Sequence, residues 1–318
     1  MSGAETISWT PVRKAPSPLA RLFDSKPFLI AICLLPAFGL LAVFLTYPLG
    51  LGIYLSFTDT KLGRPGVWVG LENFQYLLED RVFLNAVWFT VFYTAVATVL
   101  KFALGLWLAL LLNENLPIKS LIRAVILLPW ITPTVLSAIA FWWIYDPQFS
   151  IVSYVLVDKL HILSSYIDFL GTPWHARWSL IVANVWRGIP FVAISLLAGL
   201  QTISPSLYEA AMLDGASSWQ RFRKVTVPLL MPILAVVLTF SVLFTFADFQ
   251  LVYAITRGGP INSTHLMATL AFQRGIPGAA LGEGAAIAVS MIPFLILATL
   301  FSYFAIGQRK WQQGGSDE

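Results

Sequence analysis

The 318-residue chain is 58% hydrophobic and only 11% charged, with 12 Trp and 23 Phe; soluble chains carry about 25% charged residues, so the composition excludes a pair of soluble domains and points to one polytopic membrane domain. The net charge of +4 is modest and reads as membrane orientation rather than a nucleic-acid surface. Cys33 is the single cysteine, which excludes an intrachain disulfide and leaves the redox compartment undecided.

Residues 1–27 hold Arg13, Lys14, Arg21 and Lys26 among prolines. The apolar run that follows is too long for a signal-peptide core and closes on no A-x-A-like site, so it reads as a membrane anchor behind an uncleaved cytoplasmic tail. Six runs are long and apolar enough to span a bilayer, which takes about 20 residues. They are Phe28–Phe57, Leu84–Asn113, Leu121–Tyr145, Ser179–Leu200, Val227–Ile255 and Ala285–Gly307. Pro36, Pro48, Pro129, Pro133, Pro190, Pro232 and Pro293 fall inside them, and neighbouring helices in a membrane can satisfy the carbonyls they free.

Between the spans, "VGLENFQYLLEDRVF" predicts a short amphipathic helix before the second span. "FSIVSYVLVDKLHILSSYIDFLG" is apolar but interrupted by Asp158, Lys159 and His161, which predicts an interfacial or re-entrant segment. In "TRGGPINSTHLMATLAFQRG" a turn precedes a short helix, with Asn262 or Ser263 as its cap. Without a repeat or linker, the simplest parse is one six-helix domain, 28–307, with tails at 1–27 and 308–318. Placing the N-terminus in the cytoplasm puts eleven Lys and Arg inside and seven outside, so both termini are expected in the cytoplasm.

The loop between the fourth and fifth spans is a polar island, "SLYEAAMLDGASSWQRFRKVTVPLLMP". Ser206 with Glu209 and Ser217 with Gln220 both have capping-box spacing, and Gly215 stands where a left-handed C-cap needs it. Two short helices are therefore expected on the cytoplasmic surface. Three uses compete. Glu209 could serve only as a cap while Arg221, Arg223 and Lys224 anchor membrane lipid. The pair could read DNA, but both its ends are pinned to spans. Or it could dock a cytosolic protein.

The residues favour the third. Glu209-Ala210-Ala211, three residues, Gly215, nine residues, then Val225-Thr226-Val227-Pro228 resembles the "EAA" loop, about 204–228 here, of permease subunits in bacterial ABC importers. Valine stands at both aliphatic places of a motif that usually ends Ile-x-Leu-Pro. "LLPAFGLLAVFLTYPLGLGIYLSFTD", "RAVILLPWITPTVLSAIAFWWIYDP" and "VYAITRGGPINSTHLMATLAF" extend the resemblance to the carbohydrate-uptake branch, near maltose and glycerol-phosphate permease subunits.

The resemblance implies an all-α type I importer fold in a bacterial inner membrane, with a cytoplasmic coupling-helix pair. It implies a second permease subunit, two ATPase subunits and an extracytoplasmic binding protein as partners. Glu209, Ala210, Ala211, Asp214, Gly215, Trp219, Arg221 and Phe222 would form the surface seated on the ATPase. ATP and Mg would sit on that partner. This chain itself has no G-x-x-x-x-G-K-[ST] loop, no metal-spaced cluster and no nucleophile elbow, so it is expected to be non-catalytic.

Ionisable residues inside spans default to functional candidates. Arg187, with Asn184 and Trp186 in "NVWRGIPF", and Asp248 with Gln250 in "FADFQLVYAI" are the expected substrate path. Each could instead serve structure alone, and Lys101 in the second span has no assigned role. The expected cargo is a sugar or sugar derivative moved by alternating access. Arg187 keeps an anionic cargo open: a sulfo-sugar, a sugar acid or glycerol phosphate. An ion-coupled carrier would need paired acids near the midplane or an inverted repeat, and neither is found.

Overall fold

The computed structural model describes residues 25–114 and 117–313. The basic tail residues Arg13, Lys14 and Arg21, and the chain end after 313, lie outside the described residues. The chain forms two compact units that divide after Gly52. The first holds most of helix α1, Lys26–Ser56, whose last turn belongs to the second unit; α1 starts with a proline in its first turn, where a missing N–H is harmless. A π turn at Ala42–Thr46 widens α1 where Pro48 has no N–H to give the Phe44 carbonyl.

The second unit is built from α2 (Glu72–Glu79), α3 (Arg81–Asn113), α4 (Lys119–Ile131), α5 (Thr134–Ile144), α6 (Ile151–Tyr154), α7 (Pro173–Leu200), α8 (Pro205–Leu213), α9 (Ser218–Arg221), α10 (Val227–Phe246), α11 (Gln250–Thr256), α12 (Met267–Gly275) and α13 (Leu281–Gln313). Pairing between extended segments is limited, among the described residues, to isolated bridges at Thr58–Trp68 and Lys61–Arg64. Five helices are long and apolar enough to cross a membrane, and a bent pair, α4 with α5, makes a sixth crossing if taken as one.

That bend corrects the third expected span. Leu121–Tyr145 is not one rod: α4 and α5 meet at 89°. The cause is local. Pro133 forces the residue before it out of helical geometry, and Thr132 is extended at φ −62°, ψ 129°. The Thr132 hydroxyl then donates to the Leu128 carbonyl at 2.7 Å. The fifth span is also interrupted, at Ala247–Phe249 between α10 and α11. The segment after α5 holds only α6 and a π turn at Val155–Lys159, too short to cross, as its interrupting charges predict. The amphipathic helix before the second span is present as α2, and the Asp80 carboxylate caps α3 by accepting the Val82 N–H at 2.9 Å.

One expected cap is wrong. Helix α12 begins at Met267, four residues beyond Ser263, and the Thr269 hydroxyl accepts the Leu266 N–H at 2.9 Å. Ile261 and Asn262 adopt positive φ and belong to the turn.

Helices α3 and α7 form the central contact of the second unit, and α10 packs on both. Three apolar clusters run along this axis. Ala109, Val192, Leu196 and Leu230 fill the end near α8, Tyr93, Phe141, Leu180 and Leu251 the middle, and Leu77, Phe83, Met267 and Ile287 the far end. At the far end Arg274 ties α12 to the α2–α3 junction by a 2.6 Å ion pair with Asp80, and to Glu283 of α13 at 3.6 Å. Between the clusters the helices leave a polar gap.

Candidate functional site

The loop between α7 and α10 folds as two short helices, but its first cap differs from expectation. Pro205 occupies the first helical position, so Ser204 is the N-cap and Leu207 falls at the third helical position, where a capping box needs Glu or Gln. Ser206 and Glu209 therefore form no capping box. The Ser206 hydroxyl meets that of Ser204 at 2.7 Å, and Glu209 is exposed.

The second box is present. The Ser217 hydroxyl accepts the Gln220 N–H at 3.3 Å, and the Gln220 side chain accepts the Ser217 N–H at 2.7 Å. Between the helices, Gly215 adopts φ +78°, the Gly215 N–H reaches the Met212 carbonyl at 3.0 Å and the Ala216 N–H the Ala211 carbonyl at 2.9 Å. These are the two bonds of a Schellman turn, which closes the first helix and reverses the chain.

Helix α9 does not stop at Arg221. It passes through a π turn, Phe222–Thr226, directly into α10. Ser218 to Phe246 is thus one continuous rod, roughly 40 Å long at 1.5 Å per residue. The Tyr208 hydroxyl meets that of Thr226 at 3.0 Å, which fastens α8 to the base of the rod.

Glu209, Ala210, Asp214, Gly215 and Trp219 are exposed; Ala211, Arg221 and Phe222 are partly covered. Trp219 stacks on Phe222 with centroids 5.5 Å apart. Beside them Leu213 is 90% exposed, and Met212 is exposed too. Sequence reasoning missed both. The signal was two large apolar residues on the outer face of a helix of only two turns. Behind the pair lies a groove of about 810 Å³ lined by Trp107, Glu114, Tyr208 and Arg221, among others.

The second candidate region is a cavity of about 580 Å³ near the middle of the spans. Its walls include Lys101 of α3, Trp130 of α4, Asn184 and Arg187 of α7, Thr245 of α10, and Asp248 and Gln250 at the α10–α11 break. Four of the five expected path residues meet here. The exception is Trp186, which does not line this cavity. It packs edge-on against Phe141 at 5.3 Å. Lys101 and Trp130 join the cavity without having been expected there. Lys101 is buried, and its ammonium donates to the Thr245 hydroxyl at 2.5 Å, which in turn donates to the Ser241 carbonyl.

Asp248 organises the wall. One carboxylate oxygen accepts the Tyr93 hydroxyl and the Asn184 amide, each at 2.8 Å. The other faces the Leu251 N–H at 3.4 Å, at the start of α11. This contact gives the first turn of α11 an acceptor from the break itself, the kind of side-chain-to-backbone bond that competes with a continuous helix. The same side chain then links α3, α7 and the α10–α11 junction.

This architecture matches known transporters. In the crystal structure of a bacterial ABC transporter involved in import of the acidic polysaccharide alginate, one chain superposes with a TM-score of 0.78 at 24% identity, covering 91% of this chain and 99% of that one. The fold is therefore that of an ABC importer permease. Residues 101–311 match the family "Binding-protein-dependent transport system inner membrane component". The trehalose/maltose transport system permease protein MalF of Thermococcus litoralis is 34% identical, over 87% of this chain and 92% of the relative. The sulfoquinovosyl glycerol transport system permease protein SmoG of Agrobacterium fabrum is also 34% identical, over 88% and 91%. The chain belongs to the binding-protein-dependent inner-membrane transport components: it is a multi-pass permease subunit.

Proposed function

We propose that this subunit moves a sugar or sugar derivative into the cytoplasm by alternating access, driven by ATPase partners seated on its α8–α9 pair. The observation that carries the reading is the continuous rod from Ser218 to Phe246. One end of it is the exposed helix pair and the other is the wall of the polar cavity. A push on the pair is delivered along this rod, through its π turn and past Pro232, to the break that holds Asp248. Rigid-body transfer of this kind suits coupling between nucleotide-driven closure and span rotation.

Glu209 has no structural employment in the cap, which leaves its carboxylate available for a basic residue on a partner. Leu213, Met212 and Trp219 add apolar contact around it, and Ala210 and Ala211 permit close approach. ATP and Mg belong to the partner; this chain contributes no group to hydrolysis. A second permease subunit, two ATPase subunits and an extracytoplasmic binding protein complete the assembly, with both termini in the cytoplasm. The sugar class follows the relatives, whose names include trehalose/maltose and diacetylchitobiose transport.

Purification of the tagged chain from its native membrane tests the reading. An ATPase subunit should co-purify, and Glu209→Lys should weaken its retention and ATP-dependent uptake. Uptake in vesicles that survives without ATP but collapses with the ion gradient would overturn it in favour of a secondary carrier.

A further inference from the structure

We propose that the cavity recognises an anionic group on its cargo, a carboxylate, sulfonate or phosphate borne by the sugar, through Arg187 and Lys101. This rests on the reading of the cavity as the cargo path and deepens it by naming the charge of the substrate.

The cavity wall carries two cations and one acid: Lys101, Arg187 and Asp248. Formal charge alone leaves one positive charge in excess. The hydrogen bonds leave that excess in place and show which groups are free to bind a ligand. Asp248 is already committed to the protein, with one oxygen shared by Tyr93 and Asn184 and the other turned to the Leu251 N–H. Those bonds hold its charge on the α3–α7–α11 junction.

Arg187 is different. Its Nε is buried with no hydrogen-bond partner among the described residues, and the ion pairs among those residues both involve Arg274, in another part of the molecule. A buried guanidinium N–H left without an acceptor is costly. A ligand anion removes that cost, and the planar fork of arginine matches a carboxylate or phosphate with two parallel bonds.

Lys101 is the second cation, and the fold gives it a route. A Cβ at Gly188 would lie 2.2 Å from the Lys101 Cδ. Only glycine therefore leaves the channel along which the lysine stem crosses α7, next in sequence to Arg187. The lysine's hydrogen bond goes to the neutral Thr245 hydroxyl rather than to the Asp248 carboxylate. Asn184 adds a side-chain oxygen that is buried without a partner and can accept a sugar hydroxyl. A neutral sugar would satisfy that oxygen and stack on Trp130, but it would leave the excess positive charge of the wall unanswered.

The test is equilibrium binding to the purified full transporter in detergent, without its binding protein. The probes are two matched pairs, glucose with glucuronate and galactose with galacturonate. A uronate should bind at least about tenfold tighter than its parent hexose, as expected for charge-assisted hydrogen bonds. Arg187→Gln should erase most of that preference, Arg187→Lys should retain part of it, and Lys101→Met should reduce it independently. If a hexose binds as tightly as its uronate, the inference is wrong while the sugar reading stands; an acid from the second permease subunit would then be the counter-ion of Arg187. A uronate preference unchanged in both Arg187→Gln and Lys101→Met also overturns it. Failure of all four probes to bind counts against the sugar reading and this inference together.

Discussion

The helix pair at 205–226 and the cavity at the α10–α11 break are built by opposite rules. The pair is local. Its Schellman turn and capping box join residues three to five apart in sequence, and the surface it offers is exposed. The cavity is non-local. Asp248 is held by Tyr93 and Asn184, 155 and 64 residues away, and Lys101 reaches Thr245 across 144 residues. An exposed surface that is built from local bonds alone suits the docking role proposed for the first region. The second is held in tension by its own polar contacts, which couple three helices. One rod, Ser218–Phe246, connects them.

Substitutions can break this contrast, and the largest effect is expected in the cavity. Asp248→Leu removes the shared acceptor of two buried donors, each worth about 1–3 kcal/mol when left unpaired. The purified protein should lose roughly 2–6 kcal/mol of stability, read as a markedly lower unfolding temperature, and Asp248→Asn should lose less. Equal stability in Asp248→Leu and wild type would show that the junction is not held this way. Glu209→Lys should do the reverse. ATP-dependent uptake should fall at least about tenfold, a change of about 1.4 kcal/mol, while thermal stability stays within about 0.5 kcal/mol, as for an exposed position outside any cap. Matching losses of uptake and stability would erase the distinction.

Smaller effects sharpen the local half. Gly215→Ala places a Cβ at φ +78°, a strain of about 1 kcal/mol, and Ser217→Ala removes one partner of the capping box at a cost of about 1 kcal/mol. Both should lower coupling efficiency, uptake per ATP hydrolysed, before they lower global stability. A full-strength coupling ratio in both variants would argue against a rigid pair.

A further effect concerns pH. His265, buried in the turn before α12, is pushed down to about 4, first by burial and then by Arg274. The folded state therefore resists a proton that the unfolded chain accepts near 6.5. Stability should be constant above that value, fall as pH drops from about 6.5 to about 4, and level off below. The slope should flatten in His265→Gln, which melting curves between pH 7.5 and 5 would detect.

How legible each region was follows from the same contrast. Six apolar runs announce six crossings because a bilayer demands length and hydropathy. The helix pair was readable because Ser217, Gln220 and Gly215 act on neighbours. The first cap was misassigned because Pro205 moved the helix start back to Ser204 and so displaced Glu209 from the capping position. The two breaks were harder. Pro133 stands among several span prolines, yet it bends the chain by 89° whereas Pro190 lies within an unbroken α7. At the break in the fifth span the Asp248 carboxylate turns toward the Leu251 N–H, a bond that no periodicity reveals. Lys101 was visible as a charge in an apolar run, but its place beside Arg187 depends on Gly188, in a helix far along the chain.

The central claim is that the helix pair drives the cavity. It is tested most directly with a single cysteine at Gln250, in a Cys33→Ser background, in the assembled transporter in proteoliposomes. Maleimide labelling at position 250 should change when ATP is added, and Glu209→Lys should abolish that change. ATP-dependent labelling that persists at full size in Glu209→Lys would contradict the claim.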